Sequence, residues 1–107
     1  MEDLLKSFTS LIEKFELTSS EIKIYSILLK ENLTPRQISK KLGISERIVR
    51  EKLKHLLELG LIDRELVNRG WIGYIYKAKD PKEALNTLFS KVEEVIKNLE
   101  KEANRIF

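Results

Sequence analysis

Residues 34–60 read T-P-R-Q-I-S-K-K-L-G-I-S-E-R-I-V-R-E-K-L-K-H-L-L-E-L-G, and this stretch decides the fold. Thr34 is an N-cap residue type, Pro35 has the fixed φ that suits the first helical position, and Gln37 stands where a capping box reaches back to the chain. One helix starts there. Leu42-Gly43-Ile44-Ser45 supplies a tight turn: the glycine takes a positive φ, the isoleucine plugs the corner, and the serine caps the next helix. That second helix, with its cap, covers 45–59, and Gly60 suits the αL position past its last turn. Two capped helices joined by a glycine turn form a helix-turn-helix, whose second helix can enter a DNA major groove while the first crosses the backbone.

On a helical wheel Val49, Leu53, Leu56 and Leu57 share one side of the second helix, which is its core side. Opposite them fall Arg47, Arg50, Glu51, Lys54 and Glu58. Beyond Gly60, residues 62–67 and 71–79 are rich in β-branched and aromatic types and flank Asn68-Arg69-Gly70, which predicts a β-hairpin. A hairpin in that position is a wing, with Arg69 at its tip and Lys77 and Lys79 on a strand. Asp80-Pro81-Lys82-Glu83 then opens a last helix, expected over 81–106.

Upstream, Leu4, Leu5, Phe8, Leu11, Ile12 and Phe15 recur at helical spacing, predicting an amphipathic helix over 3–16. Thr18-Ser19-Ser20-Glu21 is a capping box that opens a helix expected over 19–31. Ile22, Tyr25, Leu28 and Leu29 share one face of it and Ile24 and Ile27 another, so this helix is expected to be sandwiched between neighbours. The last helix carries apolar residues at 85, 88, 89, 92, 95, 96, 99, 103 and 106, a stripe wide enough for two contacts. At 1.5 Å per residue it is about 39 Å long, more than a domain of this size is expected to cover. The excess is expected to pair with a second copy through Leu4, Phe8, Ile12, Leu88, Val92, Val95, Leu99 and Ile106.

The whole is expected to be a single domain, 1–107, mainly α with one small β-hairpin. A winged core spans 17–80, and the flanks 1–16 and 81–107 form the dimer arm. Hydrophobic residues make up 42% and charged residues 35% of 107, the balance of a folded, highly charged globular protein. There is no cysteine, which removes disulfides and thiolate metal sites and fits a reducing interior; cytoplasm is the expected compartment. No apolar run approaches the roughly 18 residues of a membrane span, and the N-terminus lacks a basic signal-peptide start. Abundant Lys, Glu and Ile resemble hyperthermophile usage. The net charge of +3 is unevenly spread: residues 34–60 hold seven Lys and Arg against three Glu, whereas residues 1–33 and 80–107 are slightly acidic. A basic centre between acidic ends suits a phosphate-facing surface flanked by self-association elements.

The candidate DNA contacts follow. Arg47 and Arg50 are placed for bidentate bonds to guanine O6 and N7, and Lys54 for phosphate; the competing reading is a solvated helix face. Thr34, Arg36 and Lys40 are phosphate candidates or ordinary surface groups. Ser45 caps, contacts phosphate, or both. Arg69 either enters a minor groove or merely solubilises the loop. Glu46 and Glu51 oppose phosphate unless they accept from a cytosine amine or pair with a neighbouring arginine. His55, the sole histidine, reads as a surface residue with no second imidazole for a metal. Trp71 and Tyr74 to Tyr76 read as core or wing support in preference to a stacking platform for single strands.

With these pieces in place, L-T-S-S-E-I-K-I-Y-S-I-L-L-K at 17–30, L-G-I-S-E-R-I-V-R-E-K-L-K-H-L-L-E-L-G-L-I at 42–62 and Y-K-A-K-D-P-K-E-A-L at 76–85 resemble the winged-helix domain of TrmB-type archaeal transcription regulators. A more distant similarity is to MarR-type dimers. The resemblance implies a DNA-binding regulator, often dimeric, that holds operator DNA with the recognition helix and wing. It departs from full-length TrmB-type regulators, which carry a large C-terminal sugar-binding domain, so no sugar site is carried over. At position 50 an arginine stands where many relatives carry an aromatic residue.

The expected function is therefore double-stranded DNA binding by a homodimeric transcriptional regulator, through recognition helix 45–59 and wing 62–79. The alternative is a winged-helix protein-interaction module of a transcription or assembly complex. No cofactor is expected. Enzyme chemistry is disfavoured, since the chain offers neither a nucleophile with its base nor a glycine-rich phosphate loop.

Overall fold

The computed structural model describes residues 2–106; Met1 and Phe107, the outermost residues of the two expected flanks, lie outside the described residues. The elements in chain order are α1 (Glu2–Glu13), α2 (Ser19–Leu28), α3 (Pro35–Leu42), α4 (Glu46–Glu58), β1 (Ile62–Asn68), β2 (Ile72–Ala78) and α5 (Pro81–Ile106). The expected mainly-α architecture with a single hairpin is the one observed.

Local chemistry sets most of the boundaries. The Thr34 hydroxyl accepts from the Gln37 N–H at 3.2 Å, and the Gln37 side chain accepts from the Thr34 N–H at 2.9 Å. Thr18 and Glu21 make the same reciprocal pair at the start of α2. Gly43 closes α3 with φ of 68°, and the Ser39 hydroxyl donates to the Ile44 carbonyl to brace the turn. At the end of α4, Gly60 has φ of 75°. Its N–H donates to Leu57 and that of Leu61 to Leu56, a Schellman closure that leaves few carbonyls unpaired.

Among the boundaries that move from the sequence expectation, three have a clear structural cause. Helix α1 ends at Glu13, because the chain turns at 14–16 to bring Phe15 and Leu17 against the core. Helix α2 ends at Leu28, because Leu33 must exchange both backbone hydrogen bonds with Tyr76, and that extended bridge cannot follow directly from a helix. Trp71 belongs to the turn of the hairpin, where its carbonyl accepts from the Arg69 N–H.

The hairpin is antiparallel, with Ile62 opposite Ala78, Leu66 opposite Tyr74 and Asn68 opposite Ile72. Its inner end joins the core, where Ile24, Ile38, Val49, Leu53, Leu56 and Ile62 are almost fully buried. The sandwich expected of α2 is partial: Ile24 and Leu28 are buried, whereas Ile22 and Leu29 are about half exposed. Helix α1 has no fully buried residue and α5 has only Ala84. These two helices pack on each other along Leu4, Leu5 and Phe8 against Ile96, Leu99 and Ala103, and they help draw the molecule out to 59 × 25 × 22 Å.

Candidate nucleic-acid interface

Helix α4 begins at a capped turn and is anchored by its apolar side, where Val49, Leu53 and Leu56 are buried, so only the opposite face of its first two turns is exposed. The Ser45 hydroxyl accepts from the Ile48 N–H at 3.2 Å, which leaves its own hydrogen available to an acceptor such as phosphate. The Arg47 side chain is 89% exposed and that of Arg50 63%. Both are tethered on their own helix: Arg50 Nη2 lies 3.1 Å from Glu46 Oε1, and Arg47 Nε lies 3.8 Å from Glu51 Oε1. Exposed pairs of this i, i+4 type stabilise by only about 0.2–0.5 kcal/mol, so either arginine exchanges its carboxylate for a stronger acceptor at little cost. The two glutamates thus hold the arginines, one of the roles open to them in the sequence.

The sequence candidates divide into two groups. Thr34, Arg36 and Arg50 line one groove together with Gln37 and Glu46, and the wing residues Trp71, Ile72, Tyr74 and Tyr76 form its other wall. Arg47, Lys40 and Lys54 are exposed but do not line this groove. Arg69 is exposed at the wing tip.

Some site residues escape a sequence reading. Ile48 is substantially exposed on α4 beside the arginines, although its type argues for burial. Trp71 and Tyr74 are also about 40% exposed or more, while Tyr76 is buried, so the expected core or wing support holds fully for Tyr76 alone. Trp71 lies over Gly73, where an added Cβ would come within 2.6 Å of its ring. The Arg64 guanidinium sits 4.1 Å above the Tyr74 ring. Strand alternation carried this signal, since it puts Arg64, Leu66, Ile72 and Tyr74 on one face.

His55 requires a correction, because it is no loose surface histidine. It is half-buried on α4, with Nδ1 against the carboxylate of Glu21, which is only 2% exposed. Its Nε2 lies 2.7 Å from the Lys14 carbonyl just past the end of α1. A carbonyl only accepts, so Nε2 carries a hydrogen, and Nδ1–H of the protonated ring donates to the Glu21 carboxylate. Burial works to lower the His55 pKa, but the bonds to Lys14 and Glu21 and the charges of Glu21 and Glu58 outweigh it and raise the value above the ordinary 6.5. Burial likewise pushes Glu21 up, yet hydrogen bonds from Thr18 and His55 bring it below the ordinary 4.5. The pair clamps α4 to α2 and to the end of α1.

In the terminal arm, Leu4, Val92, Val95 and Leu99 are half-buried, Phe8, Ile12 and Ile106 are about half exposed, and Leu88 packs against the core. The most exposed apolar residues of α5 are others, Leu85 at 67% and Phe89 at 65%. Among the described residues no helix is long and apolar enough to cross a membrane.

A helix-turn-helix followed by a two-stranded wing, carried on a long terminal helix, defines the winged-helix class of proteins. Within that class, the family described as "Sugar-specific transcriptional regulator TrmB" matches residues 11–82, and the chain belongs to this family, one of transcriptional regulators and not of enzymes. The fold also matches solved structures. A possible transcriptional regulator from Methanosarcina mazei is 22% identical, with a TM-score of 0.67 over 97% of this chain and 86% of that one. A protein from Sulfolobus tokodaii is 17% identical, with a TM-score of 0.54 over 96% of both chains. The adhesin competence repressor of Streptococcus pyogenes is 18% identical, with a TM-score of 0.58 over 99% of this chain and 79% of that one. At these identities the likeness speaks for the fold. No curated protein sequence matches the chain.

Proposed function

We propose that this protein is a transcriptional regulator that binds double-stranded DNA as a homodimer. Helix α4 enters the major groove, Arg47 and Arg50 read guanine edges, and Lys54 meets phosphate. Thr34, Arg36, Lys40 and Ser45 hold the backbone on either side, and Arg69 reaches the adjacent minor groove. The observation that carries this reading is the bare basic row at the start of α4: both arginines are exposed, tethered only by weak surface pairs, and no other element covers them.

The second copy is assigned to the terminal arm. Helices α1 and α5 leave Leu5, Leu85 and Phe89 mostly in solvent and Phe8 and Ile96 about half exposed, apolar surface of the kind a second copy would cover. A two-fold pairing there sets two recognition helices on half-sites about 34 Å apart.

Selection of duplexes from a random pool, followed by titration at graded salt, tests the reading. The expected result is a two-fold symmetric site, affinity that falls steeply as salt rises, and loss of binding in the Arg47→Ala/Arg50→Ala double variant. Duplex affinity indifferent to salt or to those substitutions contradicts it.

A further inference from the structure

The outer half of the wing is built unlike a surface that only meets phosphate. Ile72 is 75% exposed, the highest value for any large apolar side chain among the described residues, and Leu66 is 59% exposed. The register places Leu66 opposite Tyr74 and Asn68 opposite Ile72, so strand alternation gathers Leu66, Ile72 and Tyr74 on one face of the hairpin. That face turns toward the reading helix, because Ile72 and Tyr74 line the same groove as Arg36 and Arg50. The hairpin's carboxylates are kept off this face, sharing the other one with Lys77. Arg64 shares the apolar face and stacks on Tyr74, whereas alternation puts the β1 carboxylates, Asp63 and Glu65, on the opposite face.

The tip is also held firmly. The Arg69 N–H bonds the Trp71 carbonyl across the turn, and the Trp71 ring closes over Gly73, a position where any Cβ collides with it. An apolar edge without carboxylates of its own, next to Arg69 and continuous with a groove that holds Arg36 and Arg50 against the single carboxylate of Glu46, matches one occupant, the minor groove of the same duplex.

We infer that the wing drives Ile72, backed by Leu66, into the minor groove beside each half-site as an apolar wedge that partly unstacks one base step and bends the DNA. The inference rests on the reading of α4 as the DNA-facing helix. Unstacking is cheapest at flexible pyrimidine–purine steps. The wedge therefore adds a sequence preference that comes from the deformability of the step it opens.

The test uses a duplex of about 30 base pairs recovered from a random pool by the wild-type protein, a length that spans two half-sites. It carries dyes at both ends and, in a second version, 2-aminopurine at successive steps of the flank. Wild type is expected to shorten the end-to-end distance and to brighten 2-aminopurine at one step per half-site. Ile72→Ala is expected to abolish both signals while affinity falls by no more than about tenfold, the scale of one mismatched contact. Ile72→Leu is expected to restore them. An Ile72→Ala protein that bends and unstacks as wild type does, or a wild-type complex with straight, stacked DNA, overturns the wedge and leaves the reading of α4 standing. Loss of self-association in Ile72→Ala with the bend intact also overturns it, by assigning the face to a second copy. A wild-type protein that recovers no duplex from the pool overturns the reading of α4 and the wedge together.

Discussion

The winged core and the terminal arm bury their apolar residues very differently. In the core, Ile24, Ile38, Val49, Leu53 and Leu56 are sealed among α2, α3, α4 and the hairpin. In the arm, α1 and α5 together seal only Ala84, while Leu5, Leu85 and Phe89 stay mostly in water. Core packing of the first kind is self-sufficient; an amphipathic pair of the second kind gains most of its stability only when another surface covers it. The basic face proposed to read DNA belongs to the self-sufficient half, and the element proposed to pair copies belongs to the dependent one.

Truncation should separate the two regions most sharply. Leu53→Ala, in the core, is expected to lower unfolding free energy by about 2–5 kcal/mol, the range for a buried leucine, as read by urea denaturation. Phe89→Ala should leave the unfolding of dilute protein within about 0.5 kcal/mol of wild type, as for an exposed position, yet weaken self-association in sedimentation. Equal losses of stability in the two variants would erase the distinction between the regions.

The clamp between them comes next. His55→Ala leaves Oε2 of the buried Glu21 carboxylate without its partner, Oε1 keeping its bonds from Thr18, and is expected to cost about 1–3 kcal/mol, the range for a buried acceptor left unpaired. The sign of the pH dependence follows from the raised His55 pKa. Its contribution is complete below the ordinary 6.5 and is lost as pH rises through the folded value above it. The lowered Glu21 pKa acts the other way, its contribution being complete above 4.5 and lost as pH falls through the folded value below that. Thermal melts of wild type should therefore lose stability on the alkaline side of 6.5, and melts of His55→Ala should lack that loss. A wild-type profile flat across this window would dismiss the clamp.

Smaller effects probe the reading half alone. Thr34→Ala removes one arm of the α3 capping box and should cost about 1 kcal/mol, with folding of the arm unchanged by amide exchange. Glu46→Gln frees Arg50 and should alter stability by only a few tenths of a kcal/mol while tightening duplex binding at low salt. Weaker binding in that variant would instead make Glu46 a direct contact.

The caps and turns of the winged core were legible in the chain. Thr18, Thr34, Ser45, Gly43 and Gly60 act through local chemistry, and each does what its neighbours in sequence require. The basic row of α4 was legible for the same reason, since a wheel needs only helical periodicity. What escaped depends on distant partners. His55 gains its role from Glu21, 34 residues away, and from the Lys14 carbonyl, 41 residues away. The early end of α2 depends on Leu33 pairing with Tyr76. In α5 the periodicity marked a broad stripe, but which part turns inward is set by the core, so Leu88 packs inward while Leu85 and Phe89 face out.

The most direct test is amide chemical-shift mapping of the protein on addition of a duplex it has selected. The account predicts that the strongest perturbations fall on Ser45 to Lys54, the start of α3 and the wing from Leu66 to Tyr74, with α1 and α5 little changed. Perturbations concentrated on the α1–α5 face, with the first turns of α4 silent, would contradict it.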